Sequence, residues 1–476
     1  RQAVENGDRK LALRAAQQKH RVRRERIGRF KLLGGAQGDL SGARTLADRM
    51  EADTSLSFLV PVIRAWIASA AREPDAAAQL DAARNSGLGL GLLAEQRAFV
   101  ELMAGHREAG IALIKASMES DGRSGVTRLA GAAMLQRKGD TASALSLLDD
   151  SEQAFRIARA QIAAGKPLEG GVSSPVSGLA FFYARLASDL VRDRATLFAM
   201  TLGRYARFLD PRSPFIALAE GQALAANSLD DDAMASISAV GAESAYAPVA
   251  FESRVSLLER LGRGDEALAL AQQGASTSSR AVDHVRVGDI LTRIGRRQEA
   301  ATAYQRAIEA PDQTGAPAPW GLWMLKGSAL AQGDDWPAGQ AALRKAAELG
   351  PDQPAILNYL GYSMLERREN LPEATRLIAE ASKLRPGDTA ITDSLGWAYF
   401  LSGDYDKAVT ALETASLAEP TEPTIGEHLG DAYWRVGRRI DARYTWRSAL
   451  LSAEGDVATR LADKIDLGLT SANVAR

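Results

Sequence analysis

The sequence predicts an all-α protein built from stacked pairs of antiparallel helices. The first observation is the stretch from Pro386 to Pro420, whose bounding prolines are 34 residues apart and which carries small residues at Gly396, Ala408 and Ala415. Second, the turn of this pattern, a glycine five residues before an alanine, recurs along the chain. Third, alanine is plentiful and only 6% of residues are aromatic, which favours close helix packing over a sheet.

The spacing within this stretch has a packing explanation. Two antiparallel helices approach closely only where their facing residues are small, so we expect Gly396, Ala408 and Ala415 at the contact. Tyr399 and Leu412 would fill the space beside them. The order L-G-x2-Y, then A-x3-(large apolar)-x2-A, then P resembles the tetratricopeptide repeat. The resemblance implies a right-handed α-solenoid of about twelve such repeats with a C-terminal capping helix, because one hairpin cannot cover its own apolar face.

The recurring glycine predicts where the first helix of each repeat ends. Glycine can adopt the left-handed backbone conformation that terminates a helix, and the alanine then begins the close contact of the second helix. Because Ala12 would lie on a second helix, we expect the first helix of that repeat to begin before Arg1. The pairs are Gly7–Ala12, Gly38–Ala43, Gly139–Ala144, Gly262–Ala267, Gly295–Ala300, Gly403–Ala408 and Gly437–Ala442.

The regularity of the pattern divides the chain into two arrays. Diverged repeats are predicted over 1–165, and the Gly-, Pro- and Ser-rich residues that follow predict a linker loop at 166–179. A regular array is predicted over 180–456, and the amphipathic pattern in 457–476 predicts a capping helix and tail. The repeats of the second array are predicted to begin near 180, 214, 248, 281, 320, 354, 389 and 423. The insertion Ala310–Pro319 is interpreted either as a projecting loop on a binding face or as a tolerated surface insertion.

Composition narrows the classes of function. Lys and Arg total 58 against 59 for Asp and Glu, which argues against a general nucleic-acid binder. With no cysteine, the chain can form neither a disulfide nor a thiolate metal site. The most apolar run, Ser57–Ala71, is interrupted by Arg64 and is too short to span a bilayer.

No catalytic motif stands out in the sequence. The four histidines lie in different repeats, and neither a nucleophilic G-x-S-x-G nor a phosphate-binding loop is present. The glycines of G-x-G-x-G at 87–91 lack a preceding strand and are assigned to a turn between repeats. We therefore expect no enzyme activity, no metal, no cofactor and no small-molecule substrate. The histidines are His20, His106, His284 and His428.

The resemblance implies a partner-binding groove. In this repeat family, positions 2, 5, 9 and 12 of each first helix line the concave side. In the last three repeats these positions combine aromatic rings with acids, which suit an extended peptide or a helix with basic and apolar residues. The alternative is that the rings only pack between repeats or against the capping helix. The candidate partner-binding residues are Asn358, Tyr362, Asp393, Trp397, Glu427, Asp431 and Trp434.

These features favour a non-catalytic scaffold or adaptor that holds a partner protein or peptide in the groove during assembly of a larger complex. The segments 358–374, 393–408 and 427–450 also resemble large bacterial tetratricopeptide proteins, many of them associated with the cell envelope. That resemblance implies a periplasmic or outer-membrane-associated protein, with a cytoplasmic one left open. Two other functions remain open: a permanent structural subunit of a membrane or envelope complex, and the regulatory arm of an enzyme encoded upstream of Arg1.

Overall fold

The computed structural model describes residues 40–52, 56–85, 88–120, 124–276, 280–310 and 318–475. All regular secondary structure within these ranges is helical, which confirms the predicted all-α class. Some of the predicted features lie outside the described residues: the pair Gly7–Ala12, Gly38 and most of the insertion Ala310–Pro319. The contacts group the chain into two compact units, Arg1–Arg263 and Gly264–Arg476, here called unit 1 and unit 2.

Unit 1 contains twelve described α-helices and two short 3-10 segments, Ser57–Leu59 and Ala76–Asn85. Most helices pack chiefly against the next helix in sequence. The α-helices are α1 Leu40–Ala52, α2 Val60–Ala70, α3 Leu90–Ala104, α4 Arg107–Ser120, α5 Ser124–Arg137, α6 Thr141–Ser146, α7 Gln153–Ala163, α8 Pro175–Arg192, α9 Thr196–Leu209, α10 Pro214–Ala225, α11 Asp230–Ser238 and α12 Ala247–Arg260.

Unit 2 has the more regular pairing, with first and second helices of similar length in its repeats. They are α13 Gly264–Ser276, α14 Ala281–Arg293, α15 Arg297–Glu309, α16 Trp320–Ala331, α17 Trp336–Leu349, α18 Pro354–Glu366, α19 Leu371–Leu384, α20 Thr389–Leu401, α21 Tyr405–Ala418, α22 Pro423–Arg435, α23 Arg439–Leu450 and α24 Gly455–Leu467. First helices begin at 281, 320, 354, 389 and 423, as the repeat spacing predicts.

The turn glycines adopt the predicted conformation. Gly139, Gly262, Gly295, Gly403 and Gly437 have φ values of +83°, +70°, +80°, +84° and +84°. In each case the alanine five residues later is fully buried. A left-handed residue at this point lets the chain reverse direction and leaves the small alanine facing the first helix.

The glycine within each first helix is required by the close approach of the second helix. A Cβ atom on Gly396 would lie 2.5 Å from Cγ of Leu412, and one on Gly430 would lie 2.3 Å from Nε1 of Trp446. Such distances are far below van der Waals contact. The predicted close approach at these glycines is observed in both repeats, but the residues that lie against them are the large Leu412 and Trp446.

Two elements of unit 1 depart from the regular pattern. Helix α8 begins at Pro175 instead of near 180, because Ser174 and Ser177 form a reciprocal hydrogen-bonded cap and proline suits the first helical position. Helix α6 ends after six residues, where the side chain of Arg128 donates to the carbonyl of Leu147 at 2.7 Å and to Asp149 at 2.6 Å.

The residues predicted as a linker loop are packed into unit 1. The non-helical part of 166–179 follows α7 and precedes α8, and its Leu168 and Val172 are buried. A Cβ atom on Gly171 would lie 2.6 Å from Cβ of Ala133 on α5. The contact boundary instead follows Arg263. The division into arrays at 1–165 and 180–456 stays a prediction.

Candidate functional site

The seven predicted partner-binding residues lie on the first helices of three consecutive repeats of unit 2, α18, α20 and α22. They differ sharply in accessibility. Asn358, Tyr362 and Trp434 are partly buried, whereas Asp393, Trp397, Glu427 and Asp431 are buried. Buried side chains can contact a partner only if whatever covers them moves away.

The cover over the last repeat is the predicted capping helix, observed as α24. Its apolar Leu461 is buried as the amphipathic pattern predicts, but so is Lys464, with 0% of its surface exposed. The Lys464 ammonium donates to Oε1 of Glu427 at 2.7 Å and to Oδ2 of Asp431 at 2.8 Å. Arg460, one turn earlier, donates to both carboxylate oxygens of Glu427 at 2.9 and 2.8 Å. The helix is therefore anchored by charge as well as by apolar contact.

The residues after α24 continue along the same surface. The chain turns at Gly468, where φ is +80° and a Cβ atom would lie 2.3 Å from the Trp434 ring. The Asn473 side chain closes this turn by donating to the carbonyl of Gly468 at 3.0 Å. The backbone N–H of Ala475 then donates to Oδ2 of Asp431 at 3.3 Å. Residues 455–475 thus cover the predicted groove of the last repeat.

The pKa values of the two covered carboxyls are shifted in opposite directions. Desolvation raises the pKa of Asp431 to about 6, and the Lys464 ammonium offsets only part of that effect. Burial also acts to raise the pKa of Glu427, but the hydrogen bonds from Arg460 and Lys464 outweigh it and hold that pKa below its usual value. Glu427 is therefore the more firmly charged partner of the two basic side chains.

A second buried cluster joins α20 to α22. Nδ1 of His428 lies 2.9 and 3.1 Å from the two carboxylate oxygens of Asp393. The imidazole stacks on the Trp397 indole, with ring centroids 4.2 Å apart, and Trp397 in turn stacks on Phe400 at 4.7 Å. Nε2 of His428 is buried and has no hydrogen-bond partner among the described residues. Trp397 therefore supports the interface between two repeats in this state.

Asn358 and Tyr362 form the part of the groove on α18. Burial raises the pKa of the Tyr362 hydroxyl, and the charges of Glu366, Asp393 and Glu427 raise it further while Arg460 lowers it. The Tyr362 hydroxyl is therefore electrostatically coupled to both the acids and α24. Oδ1 of Asn358 is buried without a hydrogen-bond partner in the described part of the chain, so this amide retains an unused acceptor.

Unit 1 contains an open cavity of about 700 Å³ that we did not identify from the sequence. It is lined by the first helices α8, α10 and α12, and includes Phe215, Leu218 and Gln222 of α10. These are positions 2, 5 and 9 of that helix, so applying the same positional rule to the repeat at 214 would have found them. Tyr246 also lines the cavity, and its buried hydroxyl has no hydrogen-bond partner within the described ranges.

One wall of this cavity rests on a buried charge. Glu95 of α3 is buried, accepts a hydrogen bond from Thr127 and pairs with Nε of Arg185 at 3.2 Å. Desolvation raises the pKa of Glu95, although the Arg185 guanidinium acts in the opposite direction. The pair fixes Arg185 at the cavity wall.

No group of three or more His, Asp and Glu side chains in the described ranges is placed to hold a metal ion. None of the described helices combines the length and apolar character that crossing a bilayer requires.

Comparison with known proteins identifies the repeat type. A tetratricopeptide repeat family model matches residues 287–354 and again 326–389, and a second tetratricopeptide repeat model matches 394–422. No curated protein matches the chain significantly.

Several solved structures are similar to somewhat more than a third of the chain. YrrB, described as a TPR protein with an unusual peptide-binding site, is 19% identical, with 37% of this chain and 89% of that chain covered and a TM-score of 0.31. MamA from Desulfovibrio magneticus RS-1 is 19% identical, with coverages of 36% and 94% and a TM-score of 0.32. PilF from Pseudomonas aeruginosa is 16% identical, with coverages of 38% and 83% and a TM-score of 0.33. The family matches therefore identify tetratricopeptide repeats at residues 287–389 and 394–422, within unit 2.

Proposed function

We propose that the chain is a non-catalytic scaffold or adaptor that holds an extended segment of a partner protein during assembly of a larger complex. Tetratricopeptide repeats mediate protein–protein contacts and are typically non-catalytic. The observation that carries the proposal is the cavity of unit 1, because it is open and is built by three consecutive first helices. A periplasmic or outer-membrane-associated location is part of the proposal and is supported by the sequence resemblance of 358–450.

The lining of the cavity suits a peptide in extended conformation. Phe215 and Leu218 offer apolar surface for side chains. Gln222 can both donate to and accept from a peptide backbone, and the Tyr246 hydroxyl is a further polar group with an unmet hydrogen bond. A partner that supplies these bonds gains affinity, because a buried polar group without a hydrogen bond is unfavourable.

Two half-exposed arginines at the rim indicate which partner segments would fit best. Arg192 and Arg260 line the cavity with side chains about half exposed, each paired with an aspartate of its own unit. We propose that the bound segment carries apolar residues for the floor and acidic residues toward the rim. Exposed charges of this kind steer association more than they add affinity.

Site-specific photocross-linking in the native source tests the proposal. Val249 lines the cavity and is 45% exposed, whereas Val282 is 46% exposed and is not among the cavity residues, so the two form a matched pair. A photoreactive residue at 249 should give one dominant protein adduct that is absent from the 282 variant. Equal adducts from both positions, or none from 249, would remove the cavity from the proposed function.

The same adduct allows a quantitative second step. Once the cross-linked partner is identified, Gln222→Ala should weaken its binding roughly five- to tenfold, as expected for one lost hydrogen bond. The Val282→Ala variant serves as the control and should bind with unchanged affinity. An unchanged affinity for Gln222→Ala would show that the partner does not use the amide.

A further inference from the structure

In the last repeat, the groove predicted from the sequence is covered by the chain itself. We call Gly455–Ala475 the docked segment, and we call the surface beneath it the acidic groove, defined by Glu427, Asp431 and Trp434. The docked segment reaches all three of these residues directly. The sequence predicts a basic, apolar helix or an extended peptide as the ligand here, and the docked segment supplies such a helix followed by a turn.

The chemistry of docking is unusual for a segment that only covers an apolar face. Of the side chains of α24, Leu461 and Lys464 are fully buried, whereas Leu467 is exposed. Replacing a buried ion pair by apolar residues is often neutral or stabilising, so ionic burial is an inefficient way to close a stack of helices. Ionic burial does discriminate between ligands, because any segment without the two basic groups leaves Glu427 and Asp431 buried and unpaired.

The docked segment is joined to the repeat beneath it by an exposed connection. Leu451 and Ser452, which connect α23 to the segment, are exposed. Glycines with positive φ, Gly455 at +57° and Gly468 at +80°, stand at the two ends of α24. Helices α22 and α23 keep their own close contact, in which Trp446 packs against Gly430.

We propose that the docked segment is an intramolecular ligand of the acidic groove, displaced by a partner segment of the same chemistry. The required pattern is the one that Arg460, Leu461 and Lys464 present, two basic residues one helical turn apart with an apolar residue beside them. The partner is therefore a basic amphipathic segment of another protein. This regulated surface lies in unit 2, and its test is independent of the unit 1 cavity.

Intramolecular competition makes the proposal measurable. A short connection holds the docked segment at a high effective concentration, so a free peptide with identical contacts competes poorly against it. Substitutions that release the docked segment from the groove should therefore allow a free peptide of the same sequence to bind. We expect the apparent affinity for a free peptide to rise by at least about 100-fold when the groove is opened.

The experiment uses the full chain and a labelled synthetic peptide of residues 455–475. The open variant carries Arg460→Glu and Lys464→Glu, and a control variant carries the same charge changes at the exposed Lys383 and Arg447. The peptide should bind the open variant and should bind the intact chain and the control variant at least about 100-fold more weakly. A peptide with the two glutamate substitutions should bind none of the three. Equal binding to the intact chain and the open variant would overturn the proposal, as would no binding to an open variant with intact helical circular dichroism.

A second measurement covers the case in which the open variant fails to fold. A protease site placed at 451–454 of the full chain is cleaved after folding, and the labelled peptide is added in excess. We expect the label to exchange into the complex while the helical signal of the rest persists. If the labelled peptide enters the complex only when the rest of the protein unfolds, the proposal is overturned. The intact chain could instead form stable dimers that exclude the peptide. That result would show that the acidic groove binds a second copy of the chain, and it would also overturn the proposal.

Discussion

Nδ1 of His428 lies 2.9 Å from Oδ1 of Asp393, and this contact joins the first helices of two consecutive repeats. An ionised carboxylate can only accept, so the imidazole donates. The Trp397 ring covers the imidazole at a centroid distance of 4.2 Å. The pair thereby holds α20 against α22 beneath the acidic groove.

Removing the imidazole should destabilise unit 2, because it leaves the Asp393 carboxylate buried without its donor. We expect His428→Ala to lower the free energy of unfolding by about 2–4 kcal/mol. The measurement is urea denaturation followed by tryptophan fluorescence. His106→Ala is the control, since His106 is exposed, and it should change stability by less than about 0.5 kcal/mol. Equal effects of the two substitutions would contradict the structural role of the pair.

Trp397 and Tyr362 should respond differently to truncation, although both were predicted to face a partner. Trp397 is 1% exposed and stacks on Phe400 and His428, so Trp397→Ala should lower the free energy of unfolding by about 3–5 kcal/mol. Tyr362 is only partly buried, and we expect Tyr362→Ala to have less than half of that effect. Thermal denaturation of the two variants measures the difference. A smaller loss for Trp397→Ala would contradict its placement in the core.

The pH dependence of stability should carry the signature of Asp431. Its pKa rises from an unfolded value near 3.8 to about 6, so the folded state binds the extra proton. This contribution is fully present below pH 3.8 and is lost as pH rises through about 6. Wild type should therefore gain up to about 3 kcal/mol relative to Asp431→Asn between pH 7.5 and pH 4. Glu427 acts in the opposite sense, since its lowered pKa stabilises the fold above pH 4.5 and that contribution is lost in stronger acid.

Urea denaturation of wild type and Asp431→Asn at pH 7.5, 6, 5 and 4 measures this difference. Other buried carboxyls with raised pKa values, including Glu95, are present in both proteins. Their contributions to the pH dependence of stability therefore cancel in the difference. A constant difference across the series would show that Asp431 does not change its protonation on folding.

Glycine in the middle of a first helix should be irreplaceable where the second helix approaches. A Cβ atom on Gly396 would lie 2.5 Å from Leu412 and 3.3 Å from Ala411, so Gly396→Leu should lower the free energy of unfolding by more than about 2 kcal/mol. Gly321→Ala is the matched test of helix propensity, because its Cβ would meet no described atom within 4 Å. It should raise stability by up to about 1 kcal/mol. A near-neutral Gly396→Leu would contradict the helix packing.

The fold was predictable because backbone geometry restricts residue choice at fixed intervals. Gly403 needs a left-handed conformation and Ala408 needs a small side chain, and both constraints are local and recur at the repeat spacing. The start of helix α8 was not predictable from the repeat spacing, because it depends on the cap formed by Ser174.

The candidate site was only partly predictable. Helical position identified Glu427 and Asp431 as groove residues, but their partner Lys464 lies 33 residues beyond Asp431 on a helix that turns back over the repeat. Because this packing depends on where the last helix folds back, it does not show in the repeat periodicity of the sequence. A signal that could have predicted this pairing is the match in spacing between opposite charges. Glu427 and Asp431 are four residues apart, and so are Arg460 and Lys464.

The separate opening of the docked segment is tested most directly by native-state amide hydrogen exchange of the intact protein. Helix α24 should exchange through its own opening, with protection at least about 100-fold lower than that of α22 and α23. Peptide-resolved mass spectrometry across 423–467 measures all three helices in one experiment. Protection of α24 equal to that of α22 and α23, with all three exchanging in a single unfolding event, would show a fixed structural cap and would contradict the displaceable segment.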